Sequence, residues 1–383
     1  MKSYKVKLKN QDEDNYIGYL TRKVEISTSS KKIYNLVKIP PYMNERMGIT
    51  SPINEVLINI TLKEIIDING TNCLRDAFIK NKVAAKLKKN SANIVFVRIS
   101  RSDGTAFPEL NNNIDKIAEF IVDLIYSHPM IDIITFPHME PLKNEPSSNL
   151  TAFDTLIRNR LTELMGLENG TGKVGYFLPS YYNRDGIVNL MDDYMKNFGP
   201  EGIYICDVNG GTFIGIGYSI LSQILRGITN ESNTENYALY IYSQKPKRKA
   251  GGEVPSEDLL ALLNGVSIVG PSHKRQPLPK NIVEKLKTQQ FNPKILNRSD
   301  FLLYPYNIYP HASDLDDWIS HNSINQKISN TSRKRLLDLY NSITTKDSIT
   351  SIETEPRDTV NSLGRDDFKK ELRYIRHRMG GNI

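Results

Sequence analysis

The chain has 383 residues, 39% of them hydrophobic and 24% charged, with a net charge of +7 from 50 Lys and Arg against 43 Asp and Glu. That length admits one large domain with extensions or two ordinary domains, and the two cysteines, Cys73 and Cys206, are too few for a disulfide framework or a cysteine-rich zinc site. No apolar run reaches the ~20 residues of a membrane-spanning helix, and the opening MKSYKVKLKN carries charge without an apolar signal core, so a reduced, cytoplasmic protein with no membrane partner is expected.

In chain order, residues 1–50 form a β-rich extension. Stretches 4–8, 16–26 and 32–39 are rich in Tyr, Val, Ile and Lys and predict two or three antiparallel strands, stopped at Pro40 and Pro41. A different rhythm follows. Apolar runs at 56–60, 94–99, 131–136, 174–178, 203–206, 238–242, 266–269 and 301–304 predict eight strands. They are continuous rather than alternating, as strands buried on both faces are.

Helical periodicity fills the gaps, with Ile117, Phe120, Ile121 and Leu124 on one face, then Phe153, Leu156, Ile157 and Leu161. Ile187, Leu190, Met191 and Tyr194 continue the pattern, as do Ile220, Leu221, Ile224 and Leu225, and Leu259, Leu260 and Leu263. Gly166, Gly199, Gly227 and Gly265 stand where left-handed helix ends are wanted. The class is therefore α/β. A TIM-like (β/α)8 barrel is expected over residues 51–311, and a doubly wound open sheet is the alternative.

Residues 312–383 read as a basic, helical C-terminal extension: a helix near 332–343, a Ser/Thr-rich linker over 344–359, and a last helix near 366–378. That helix has Phe368, Leu372 and Ile375 on one face and Lys369, Lys370, Arg373 and Arg376 on the other. It is suited to packing on the barrel, to self-association or assembly with another subunit, or to a polyanion.

In a barrel the functional residues follow the strands. Asp207 ends an apolar strand just before two glycines, as a base, nucleophile or ligand-orienting group would; capping its own loop is the structural alternative. His138, near Glu140, is placed as a general acid or base, or as a packed histidine. Tyr181, Tyr182, Asn209, Gly210, Gly211 and His273 are candidate substrate contacts, the tyrosines by stacking on a base. Lys245, Lys247, Arg248, Lys249, Lys274 and Arg275 would hold a phosphate backbone, of tRNA or DNA. No P-loop, dinucleotide fingerprint, HExxH, DxD or GxSxG pattern is present, so no metal or cofactor is called for.

The run GGEVPSEDLLALLNGVSIVGPSHKR, residues 251–275, resembles the late barrel segment of tRNA-guanine transglycosylases. Glu257, Asp258, Leu259 and Leu260 match that family's helix start, and Gly265 and Val266 its strand entry. Gly210 and Gly211 are loosely similar to its Gly-Gly loop beside the base, and the likeness spans residues 200–275. It implies a barrel that exchanges a base through a covalent carboxylate intermediate. Gly270 stands where the family has its nucleophilic aspartate, and the zinc cysteines and the DSG-like base-recognising motif are absent. Either another acid such as Asp207 has taken over, or the barrel only binds. Three functions follow: a divergent transglycosylase-like enzyme on a base or nucleoside, a non-catalytic nucleic-acid-binding or assembly subunit, or a small-molecule lyase or aldolase with Lys245 as its amine.

Overall fold

The computed structural model describes residues 4–34, 36–40, 50–142, 145–166, 172–208, 213–214, 218–231, 234–243, 252–271, 293–322 and 330–379. The chain opens with β1 (Lys5–Asp14), β2 (Tyr19–Ser27) and β3 (Lys32–Ile33), a three-stranded antiparallel sheet, and continues into β4 (Val37–Lys38). Then come β5 (Ile53–Thr61), α1 (Leu62–Asn69), α2 (Asn72–Phe78), β6 (Ala92–Ser100), α3 (Phe107–Asn111), α4 (Ile114–Ile121), β7 (Ile133–Thr135) and β8 (His138–Met139). The middle of the chain gives α5 (Ser147–Met165), β9 (Val174–Leu178), α6 (Arg184–Phe198), β10 (Gly202–Asp207), α7 (Tyr218–Glu231), β11 (Tyr237–Tyr242), β12 (Val254–Pro255), α8 (Glu257–Leu262) and β13 (Ile268–Val269). It closes with β14 (Lys294–Leu296), β15 (Leu302–Pro305), α9 (Ala312–Asn322), α10 (Asn330–Thr354), α11 (Pro356–Asn361) and α12 (Asp366–Arg378).

The main sheet is parallel, in the order β4-β13-β11-β10-β9-β7-β6-β5, with β8 added on β6. Apart from β4, each strand is laid beside its predecessor, always stepping the same way. Right-handed crossovers then put every helix on one face, and the sheet curls around the other. Two apolar layers result. Outward residues such as Val95, Val97, Tyr176, Tyr204 and Leu239 pack under the helices. Inward residues Ile53, Ile94, Phe96, Ile133, Phe177, Ile203, Ile205, Tyr240 and Ile268 fill the curl.

The α/β class and the curled parallel sheet agree with the sequence reading, but the (β/α)8 barrel does not close. Among the described residues β4 and β5 are the two edges and do not pair. The predicted eighth strand is also elsewhere: β15 joins β12 and β14 in a small antiparallel sheet. Its place beside β13 is taken by β4, which the sequence put in the N-terminal extension. Val37 N–H donates to Ser267 O and Ile39 N–H to Val269 O, both at 2.9 Å. Val37 and Ile39 are 3% and 2% exposed, so the graft buries two β-branched side chains.

The rest of the extension closes the N-terminal end of the curl. The Tyr4 hydroxyl donates to Val174 O at 2.9 Å and accepts from Ile203 N–H at 3.2 Å, at the feet of β9 and β10. Asp132 beside β7 takes Lys31 at 2.8 Å and the Thr28 hydroxyl at 3.0 Å. The apolar stripe of α12 (Phe368, Leu372, Ile375) is buried within the chain, and Arg376 pairs with Glu13 at 3.1 Å. Self-association through that stripe is therefore not available to a chain folded this way. One apolar cluster runs from Ile17 to Met379, across both boundaries drawn at 50 and 311.

The Ser/Thr-rich 344–359 segment is not a linker. α10 runs through to Thr354, and Thr344, Thr345, Ser348, Thr350, Ser351 and Thr354 each return their hydroxyl to the carbonyl four residues back. Ile349 and Ile352 supply the buried face. Gly166 does end its helix in the left-handed region at φ +60°, whereas Gly227 lies inside α7.

Candidate functional site

With the N-terminal end of the curl plugged, the C-terminal end is where chemistry can gather. The inward positions change character on the way up each strand. β10 reads Ile203, Ile205, Asp207; β6 reads Ile94, Phe96, Arg98; β11 reads Ala238, Tyr240, Tyr242. β5 contributes Glu55 between Ile53 and Leu57. A charge inside a strand buried on both faces is costly unless it is partnered. These polar groups therefore form one cluster.

His138 is 5% exposed and sits opposite Arg98 in the β6–β8 register. Arg98 Nε–H donates to His138 Nε2 at 3.3 Å, which assigns the ring proton to Nδ1. The ring stacks on Phe177 with centroids 4.7 Å apart. Burial, then the Arg98 charge, pulls the imidazole down to about 3, so it is neutral at physiological pH. It is thus a hydrogen-bonding group with a buried Nδ1–H that has no protein partner among the described residues, rather than a proton shuttle. Thr135 Oγ1 and the Tyr240 hydroxyl share that condition.

Asp207 is 7% exposed and accepts the Ser180 hydroxyl at 3.3 Å. It lies beside Tyr242 in the β10–β11 register. The Tyr242 hydroxyl is pushed far up by burial first and by the Glu55 carboxylate next, with Arg98 opposing and Asp207 adding. Two carboxylates and a guanidinium therefore surround one phenol. Tyr242 stacks on Phe96 at 4.0 Å and 17°, and Phe177 meets both rings edge-on, so these charges stand on a packed aromatic cluster. Ser243, the next residue, is 1% exposed with φ +59°, a backbone conformation that costs a non-glycine residue about 1–3 kcal/mol and is found at functional sites.

Tyr181 and Tyr182 stand beside this cluster, next to Ser180, and the Tyr181 hydroxyl is pushed up by burial first and in part by the Asp207 carboxylate. Their rings pack together at 5.4 Å, and the Tyr181 hydroxyl donates to Asp154 Oδ2 on α5 at 2.5 Å. Asn209, Gly210, Gly211, Lys245, Lys247, Arg248, Lys249, His273, Lys274 and Arg275 lie outside the described residues. In sequence they follow β10, β11 and β13, whose ends share the rim with Asp207. Glu257, part of the family-like helix start, is 2% exposed and accepts the Phe213 N–H at 2.7 Å, so it anchors the segment after β10.

Glu55, Arg98, Tyr240, Tyr242 and Ser180 were missed by sequence reasoning. A signal existed for two of them: Glu55 and Arg98 are lone charges within otherwise apolar strand runs. An open groove of about 310 Å³ lies elsewhere, lined by Leu62, Lys63, Asp67, Asp103 and Glu109 among others. Its side chains include none of the buried unpartnered polar atoms and none of the strand-end cluster. Among the described residues no three of His, Cys, Asp and Glu converge as metal ligands, and no helix is long and apolar enough to cross a membrane. Compared with models of protein families and with curated proteins, the chain matches none.

Proposed function

We propose that the chain is a divergent transglycosylase-like relative of the (β/α)8 barrel that takes a nucleic-acid base or nucleoside at the C-terminal end of its curled sheet. The observation that carries this reading is the change, along β6, β10 and β11, from apolar to polar or ionisable inward residues ending in Asp207, above the buried aromatic cluster of Phe96, Phe177 and Tyr242. Carboxylates accept the N–H edge of a base, and a planar heterocycle suits an aromatic surrounding. The basic residues that follow β11 and β13 in sequence suit a phosphate backbone. Asp207 is the reacting carboxylate in this scheme. Its oxygen bonds the sugar C1′ as the glycosidic bond breaks and the electron pair leaves on the base nitrogen. A second base then displaces the carboxylate.

The test is incorporation of radiolabelled guanine into tRNA, run beside binding of labelled tRNA and single-stranded DNA across a salt series. Asp207→Asn is expected to abolish incorporation and leave binding intact, with affinity falling linearly in log–log form as salt rises. A binding-only subunit is the second reading. Gly270, with no side chain at the position of the family's nucleophile, favours it. Salt-dependent binding without turnover by the wild type would establish that second reading, and absence of binding at low salt would refute both.

A further inference from the structure

Gly270 follows β13 and faces the inside of the curl. A β-carbon built on it would lie 2.3 Å from Glu55 Oε2, 3.0 Å from Tyr240 Cε2 and 3.1 Å from the Tyr240 hydroxyl oxygen. The first distance is impossible for a real side chain. The space belonging to a residue at 270 is already filled, by a carboxylate reaching across the open seam from β5. Its Oε2 is buried, and the group acts together with Arg98 and Asp207 on the Tyr242 hydroxyl.

We propose that Glu55 is the second carboxylate of the site, the general acid–base partner of Asp207 in displacement at an N-glycosidic carbon, and that the missing side chain of Gly270 is what admits it. This rests on the reading of the rim as a glycosyl-transfer site. Two carboxylates with separate roles are what such a displacement requires. Glu55 gives its proton to the departing base nitrogen as the C1′–N bond breaks and Asp207 bonds C1′. It takes a proton back from the incoming base as that nitrogen displaces Asp207. One base is exchanged for another, the proton on Glu55 is restored, and no oxidant or reductant enters. The substrate class is therefore a nucleoside or nucleotide whose base leaves poorly without protonation.

Two substrates separate the roles. Exchange of radiolabelled guanine into tRNA needs a protonated leaving base, whereas para-nitrophenyl riboside releases a phenolate that needs no proton. Glu55→Gln is expected to slow exchange about 10²–10⁴-fold, the range of a lost general acid, and to leave the first-turnover burst of nitrophenol almost unchanged, while later turnovers slow for want of the base. Gly270→Ala is expected to reproduce that pattern, because its β-carbon must expel the carboxylate. Unfolding midpoints of both variants exclude a folding defect. Near-wild-type exchange by Glu55→Gln, or a nitrophenol burst slowed as much as exchange, overturns the role of Glu55 while Asp207→Asn remains inactive. Wild type inactive on both substrates, or Asp207→Asn fully active, overturns the glycosyl-transfer reading itself and this inference with it.

Discussion

Replacing Asp154 by asparagine should make the protein more stable at pH 8. Asp154 is 7% exposed on α5, and its Oδ2 accepts the Tyr181 hydroxyl. Arg158 on the same helix, Tyr181 and Tyr182 before α6, and Asp193 and Tyr194 on α6 complete its ionisable surroundings. Burial pushes the carboxyl up to about 7, from an ordinary 3.8, although Tyr181, Arg158 and Tyr182 pull it down. The folded chain therefore holds a proton at this site that the unfolded chain has released. Stability from this site falls as pH rises from about 4 to about 7 and is level above that. The full gap corresponds to about 4 kcal/mol at about 1.36 kcal/mol per pH unit. An amide cannot ionise and still accepts from Tyr181. The advantage of Asp154→Asn over wild type is thus expected to grow by about 3 kcal/mol between pH 4.5 and pH 8. Urea unfolding of both proteins across that range measures it. A difference that does not change with pH, or a variant less stable at pH 8, would refute the argument.

Three further outcomes are expected. His138 has the opposite sign: its folded value of about 3 lies below the ordinary 6.5, so its stabilisation is complete above 6.5 and is lost as pH falls, by about 3 kcal/mol at pH 4.5. His138→Gln should remove that loss in acid unfolding curves, and a pH-independent difference from wild type would count against it. Phe96→Ala, at a fully buried ring touching Phe177, Tyr240 and Tyr242, should cost about 3–5 kcal/mol in denaturant unfolding; a near-neutral result would mean that the inside of the curl is not packed. Gly18→Ala places a β-carbon at φ +92° and 2.8 Å from Arg373 Cγ, so about 1–3 kcal/mol should be lost and α12 should become sensitive to protease; unchanged protection would show that α12 does not depend on the β1–β2 turn.

The parallel sheet was legible because seven of its strands are mainly apolar runs, a pattern set by burial on both faces. β4 lies in the stretch 32–39 that reads as an antiparallel strand, and only its pairing with β13 shows that it belongs to the parallel sheet. β15 was misplaced because a short apolar run looks the same in a parallel or an antiparallel sheet. Hydroxyl-rich α10 was missed because Ser and Thr favour turns locally, and the buried faces of Ile349 and Ile352 override that preference. At the proposed site, Asp207 and His138 were singled out from their places after strands. Glu55 lies in the middle of β5, and its importance comes from what Gly270 lacks on the far side of the seam, a relation that no local window contains.

The origin of β4 also governs how the chain must assemble. Val37 leaves the ribosome about 230 residues before its partner Ile268, an interval of about 10–50 s at about 5–20 residues per second. During that time Tyr4, Val6, Val24 and Ile26, which finally seal the base of the curl, have nothing to seal. A segment made early is thus among the last to find its place, so a nascent chain must shelter one apolar hairpin while the strands it meets are still being made.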